Sequence, residues 1–371
     1  MNSEHTDQPQ TPAGRAETGN RRRAFLKNAG LAGAVLSASA LLPGAGKAAQ
    51  STRPTRGDVA ILQFLAAAEL IESDLWQQYA ELGGLSEGNP NPYQTALSNL
   101  DGDAMQYISS NTLDEISHAT FLNAYLQALG ESPVDLDKFR TLPSSTATGA
   151  KQIGRLTNLM QLSVDTSWYT RYRSSGNPDF GGVFPQALPQ LRAGQFPAIP
   201  RTDADFAPVR HVQAIANTAA FHFGSIEQGG SSLYATLSQK VTSAQVLQIT
   251  LGIGGDEICH FLEWVDFAGN GVQPPVAPFT DPTNGLVFPN FDAKPNPLVQ
   301  TNLIFPVPCE FISPSLPLCA VIRPSGPGQI DAVGATNYFA AMGLFIGQPA
   351  EFTTMLLGLA SKADAAQRGV A

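Results

Sequence analysis

Two pentapeptides, Asp-Glu-Ile-Ser-His at 114–118 and Asp-Glu-Ile-Cys-His at 256–260, each place a glutamate three residues before a histidine. On a helix of 3.6 residues per turn, that spacing sets Glu115 beside His118, and Glu257 beside His260, on one face. The chain has 13 glutamates and five histidines, so a Glu-x-x-His pair is expected by chance only about 0.2 times. A second copy therefore points to selection for the pattern. Carboxylate oxygen plus imidazole nitrogen, supplied from two helices, is a donor set for iron or manganese, and carboxylates can bridge two ions.

Such a centre needs more negative charge than two glutamates carry, so two further helices are expected to contribute a carboxylate each. Glu69 lies in the stripe Leu62, Leu65, Ala66, Ser73, Trp76, and Glu227 lies with Ala220, Phe223, Ser231 and Tyr234. Each is followed seven positions later by a large aromatic residue, Trp76 or Tyr234, placed to relay an electron. A buried carboxylate without a partner is costly, and a metal ion supplies that partner. Glu72 competes with Glu69 from the next turn. Asp165 competes with Glu227, but Thr166, Ser167 and Arg171 around it suit a surface. Asp114 and Asp256 precede the ligand pairs and project to another side, where each can accept a hydrogen bond from the distal nitrogen of a liganding histidine. His211 and His222 share a helix face, but Glu227 stands roughly 140° round from His222, so both are read as non-ligands. Gly229-Gly230 and Gly252, Gly254, Gly255 leave little side chain near the site, which either admits an oxidant or lets helices approach closely. Cys259 is expected to be a small buried hydrophobe.

The elements that must position these residues read as four long helices. Asp58–Leu82 carries no proline and stops at Gly83-Gly84; 104–129 ends at Gly130 and Pro133; further helices are expected over 209–238 and 243–267. Between them, 131–208 reads as an insertion with one helix over 154–173 and Pro/Gly-rich loops. After 270 the chain is dense in Pro, Asn, Phe and Val, and two modest helices, about 330–346 and 349–363, close it. The expected class is all-α.

At 371 residues and 43% hydrophobic content the chain can bury a large core. A formal charge of −9 argues against nucleic acid as a partner. The basic run Arg21-Arg22-Arg23 followed by Phe25, Leu26, Lys27 and an Ala/Gly-rich apolar stretch reads as a twin-arginine export signal over 1–49, joined by a linker at 50–57, and not as a membrane span. Cleavage near Ala48 or Ala49 leaves 16 basic against 28 acidic residues. The expected location is periplasmic or otherwise extracytoplasmic, and in that oxidising setting Cys309 and Cys319 are candidates for a short disulfide loop.

The order Glu, Glu-x-x-His, Glu, Glu-x-x-His on successive long helices resembles the ferritin-like superfamily. Within it, "FLAAAELIESDLW" (64–76) and "DEISHATFL" (114–122) are similar to exported ferritin-like proteins related to the plant desiccation-related family. The resemblance implies an antiparallel four-helix bundle over 58–269 and a pair of iron or manganese ions about 3.5–4 Å apart. It implies bridging roles for Glu115 and Glu257, and terminal roles for His118, His260, Glu69 and Glu227. The insertion and the C-terminal extension (270–371) depart from compact ferritins and argue against a storage cage. Two functions follow as expectations: a protein that reacts with dioxygen or peroxide as an oxidase, ferroxidase or detoxifying enzyme, or a stress or envelope protein whose metals are structural.

Overall fold

The computed structural model describes residues 53–166, 168, 188–271, 276–290, 306–307, 312–320 and 331–370. The export signal, Cys309 and the stretch 169–173 lie outside the described residues.

Four long helices form the bundle: α1 (Arg56–Gly83), α3 (Ala104–Ala128), α5 (Val209–Ser238) and α6 (Ala244–Gly271). Each matches its expected span to within a few residues. Between α1 and α3 sits a short helix not anticipated from the sequence, α2 (Pro92–Ser98). Its start is set by Asn91, whose side chain accepts from the Gln94 amide while the Gln94 side chain returns to the Asn91 amide, with Pro92 at the first helical position. The same reciprocal cap, Thr55 with Asp58, starts α1. Asp58 also accepts from the Thr242 and Ser243 amides at 2.8 and 3.1 Å, so one buried carboxylate fixes the start of α1 and the turn that leads into α6.

Helices α1 and α3 pack as one pair and α5 and α6 as another, and the pairs close on a continuous core that includes Leu65, Trp76, Leu122, Phe223 and Trp264. Trp76, Trp264 and Phe223 are fully buried, and each such side chain contributes about 2–3 kcal/mol of hydrophobic stabilisation. Helix α5 is buried along almost its whole circumference. A single apolar stripe does not describe it, because further segments cover the side that faces water in an isolated bundle. Helices α7 (Ala332–Ala341) and α8 (Ala350–Asp364) belong to the extension, and α8 packs on α1. Asp364 accepts from the Ala332 and Val333 amides at 2.9 Å each and pairs with Lys240, tying α8 to the start of α7 and the end of α5.

The expected helix over 154–173 is absent across 154–166. Leu156, Leu159 and Leu162 have helical spacing and are all buried, but they pack from an irregular segment with bridges Leu142 to Arg155 and Leu162 to Phe196. Its backbone donors are taken by other parts of the fold. Leu156 and Thr157 donate to Asp74 of α1 at 3.0 Å, and Asn158 and Ser163 donate to the Leu344 and Met342 carbonyls. Gly154 lies so close to the Arg140 carbonyl that any β-carbon would overlap it. Among the described residues, the rest of the insertion holds the short helix α4 (Pro189–Ala193) and two 3-10 turns, Asp137–Phe139 and Asp203–Phe206. Two short antiparallel pairs, β1 (Phe279–Thr280) with β2 (Val287–Phe288) and β3 (Pro306–Val307) with β4 (Cys319–Ala320), are the strands of the extension among the described residues. No helix among the described residues is long and apolar enough to cross a membrane.

Candidate metal centre

The bundle brings together all six residues expected to bind metal. Ligand-type atoms of Glu69, Glu115, His118 and Glu257 lie within 4.8 Å of one another, and so do those of Glu115, Glu227, Glu257 and His260. Glu115 and Glu257 belong to both groups. All six residues are buried.

The histidines turn their Nδ1 atoms inward. His118 Nδ1 stands 3.2 Å from Glu115 Oε2 and 3.5 Å from both Glu69 Oε2 and Glu257 Oε1. His260 Nδ1 stands 3.1 Å from Glu115 Oε1 and 3.4 Å from Glu227 Oε2. One ring nitrogen cannot satisfy three carboxylates. Accordingly Glu69 Oε2, Glu227 Oε2 and both oxygens of Glu257 are buried without a hydrogen bond. Among the described residues, no Lys or Arg makes an ion pair with these glutamates.

The outward Nε2 atoms meet the two aspartates crosswise. His118 Nε2 is 3.2 Å from Asp256, and His260 Nε2 is 3.4 Å from Asp114. Each pentapeptide thus sets an aspartate beside the distal nitrogen of the other's histidine, with Nδ1 turned toward the glutamates.

Burial, and then the neighbouring glutamates, push Glu257 well above the usual carboxyl range and Glu115 up to about 7. Burial opposes charge on His118 and His260, but the surrounding carboxylates outweigh it and raise both. Unmetallated, the cluster holds protons where like charges would otherwise meet. A bound cation would replace those protons and satisfy the orphaned oxygens. The residues therefore fit bound metal.

Glu69 takes the position over which Glu72 competed, since Glu69 joins the cluster and Glu72 does not. Glu72 faces the same charges from one turn away: burial raises its pKa well above normal, and Glu257, Glu115, Glu227 and Glu69 raise it further. Asp165, expected at the surface, is instead buried and paired with Arg192 at 2.9 Å. Cys259, expected to be buried, is exposed, because the ligand face of α6 turns Glu257 and His260 inward and leaves position 259 outside. His211 and His222 are buried away from the cluster, each with its own partners.

The aromatic residues fall at two depths. The Tyr234 hydroxyl donates to Glu69 Oε1. Trp76 does not reach the glutamates, but stacks on Trp264 at 5.2 Å. Trp264 Nε1 donates to Asn111 Oδ1 at 2.7 Å, and Asn111 Nδ2 donates to Glu115 Oε1 at 2.8 Å and to Glu227 Oε1 at 3.2 Å. Sequence reasoning missed both residues, though signals existed. Asn111 is one turn before Glu115, and Trp264 follows Glu257 by seven, as Trp76 follows Glu69 and Tyr234 follows Glu227.

The glycines serve close approach at two positions. A β-carbon on Gly230 would stand 2.1 Å from Glu257 Oε2, and one on Gly254 would stand 2.7 Å from the Tyr234 Cβ. Gly252 and Gly255 meet nothing nearby.

Comparison with known families gives one result. A ferritin-like domain family matches residues 57–262, more than half of the chain. No curated protein and no solved structure matches.

Proposed function

Because the chain belongs to the ferritin-like domain family, we propose that it is an exported di-metal carboxylate protein that reacts with dioxygen or peroxide, as an oxidase, ferroxidase or detoxifying enzyme. One observation carries the reading: two four-residue groups of buried glutamates and a histidine share Glu115 and Glu257, and four of their carboxylate oxygens have no hydrogen bond. Two iron or manganese ions are the proposed cofactors. Glu69 and His118 would hold one, Glu227 and His260 the other, and Glu115 and Glu257 both. The metals supply redox capacity and Lewis acidity at a water-poor site.

The chain's own residues position and insulate that chemistry. Asp114 and Asp256 hold the imidazoles in the ligating tautomer. Asn111 fixes Glu115 and Glu227, and is itself oriented by Trp264. Tyr234, whose hydroxyl donates to Glu69, would pass a proton with an electron, and Trp76, stacked on Trp264, would relay an electron through that ring. The Arg22-Arg23 segment is read as the address for twin-arginine export, which would place the mature protein in the periplasm or outside the cytoplasm.

Elemental analysis of the full chain tests the metal reading. About two equivalents of iron or manganese are expected, and a Glu115→Ala, Glu257→Ala variant should lose both; a wild type without metal overturns it. Dioxygen and peroxide consumption with added ferrous iron separates enzyme from structural protein. Metal retained without any consumption means that the centre is structural.

A further inference from the structure

Beside the metal centre, α1 and α5 leave a cavity of ≈ 40 Å³. Gly229 and Gly230 line it from α5, and the extension adds a wall, with Ala335 and Phe339 of α7, Phe345, and Leu356 of α8. This outer wall lies beyond residues 57–262, which match the family. The lining is apolar except for Glu69, Glu72, Tyr234 and Thr336, whose hydroxyl donates to the Ala332 carbonyl. Glu72 Oε1 is buried there without a hydrogen bond.

Size, polarity and charge narrow the occupant. A single water needs about 10–15 Å³ on this measure, so the space suits roughly three or four water-sized groups, and somewhat more atoms where they are covalently bonded and overlap. The apolar walls favour a hydrocarbon body. Two carboxyl groups in the lining disfavour an anionic head, and the orphaned Glu72 oxygen calls for a hydrogen-bond donor.

We propose that this cavity is a binding site for a short primary alcohol, its hydroxyl on Glu72 and its alkyl chain against the α7–α8 wall, held next to Glu69. The role as substrate rests on the di-metal reading above; the binding does not. The extension thereby completes a substrate pocket, with Phe339 and Phe345 among its apolar walls.

The test follows methyl resonances of Ile71, Ile226, Leu233 and Leu356 in the full chain during titration with 1-butanol, with butyrate as the anionic control. Saturable shifts confined to these methyls with 1-butanol, and none with butyrate, are expected. Ala335→Phe, which fills the cavity from α7 without touching a glutamate, should abolish the shifts while metal content stays unchanged. The smaller Ala335→Val change, which serves where the larger one disturbs folding, should weaken binding at least threefold. Glu72→Leu should weaken 1-butanol at least tenfold, yet still admit xenon, which needs only the apolar walls. Equal binding of butyrate, no saturable shift, or binding unaffected by Ala335→Val and Glu72→Leu each overturns the proposal. A protein that takes up two metals but no 1-butanol loses only the pocket, whereas one that binds 1-butanol but no metal loses the di-metal reading.

Discussion

Two clusters of this molecule use the same residue types and end in opposite states. At the start of α5, His211 is held between Asp281, 2.9 Å from Nδ1, and Asp205, 3.2 Å from Nε2. Arg201 grips Asp205 with two hydrogen bonds of 2.9 and 3.0 Å, and Thr283 gives its amide and hydroxyl to Asp281. Burial raises Asp205, but the Arg201 bonds outweigh it and bring its pKa down to about 2. Here the protein satisfies its own charges and joins insertion, bundle and extension. In the middle of the bundle, four glutamates face two histidines, no guanidinium or ammonium among the described residues pairs with them, and four oxygens stay unbonded. A buried histidine among carboxylates is therefore no sign of a metal by itself. The unsatisfied remainder is.

The largest break in this contrast comes from Glu115→Ala with Glu257→Ala, which removes the two shared ligands and should take metal content from about two equivalents to none, read by elemental analysis. Matching changes at Asp205 and Asp281 should leave metal content untouched. Next, stripping metal with a chelator should lower the melting temperature by about 10 °C, from roughly 4 kcal/mol of linkage at a thousandfold excess over Kd; calorimetry with and without metal checks it. His211→Ala leaves the carboxylates of the closed cluster without their partner and should cost about 3 kcal/mol in denaturant unfolding, with metal content unchanged.

Smaller effects sharpen the contrast. Asp256→Asn keeps every ligand but loosens His118, and should weaken metal affinity about 10- to 100-fold in competition titrations. His222 belongs to neither cluster: its Nδ1 shares a hydrogen bond with the Tyr79 hydroxyl at 2.6 Å, its Nε2 has no partner, and burial lowers its pKa to about 3. Between that value and the unfolded value of about 6.5, the unfolded chain binds a proton that the folded chain refuses. Stability from this group is full above pH ~6.5 and is lost as pH falls toward 3, at about 1.4 kcal/mol per pH unit. Denaturant unfolding of the wild type and His222→Gln across pH 6.5 to 4.5 should show that slope only in the wild type.

Much of the bundle was legible because ligand spacing and helix period coincide. Glu115 with His118, and Glu257 with His260, needed only the three-residue offset, and Glu69 and Glu227 needed only a carboxylate inside an apolar face. The misreadings arise where tertiary contacts overrule local pattern. Leu156, Leu159 and Leu162 have helical spacing, but Asp74 and the carbonyls of the extension take their segment's amides. The cap of α2 was written in Asn91-Pro92 and Gln94, within a stretch whose Gly, Asn and Pro content reads as loop. Asp165 could not be placed inside without knowing that Arg192, 27 positions on, would meet it. The crossing of Asp114 to His260 and Asp256 to His118 depends on how α3 and α6 face each other, which no local spacing encodes.

The central claim is that the two pentapeptides are halves of one dinuclear site. Anomalous diffraction from crystals of the full chain loaded with iron or manganese tests it most directly. The account predicts two peaks, one beside His118 Nδ1 and one beside His260 Nδ1, with Glu115 and Glu257 contacting both. No peak, or a single peak at the more exposed group of Asp114, Asp256 and His260, would contradict it.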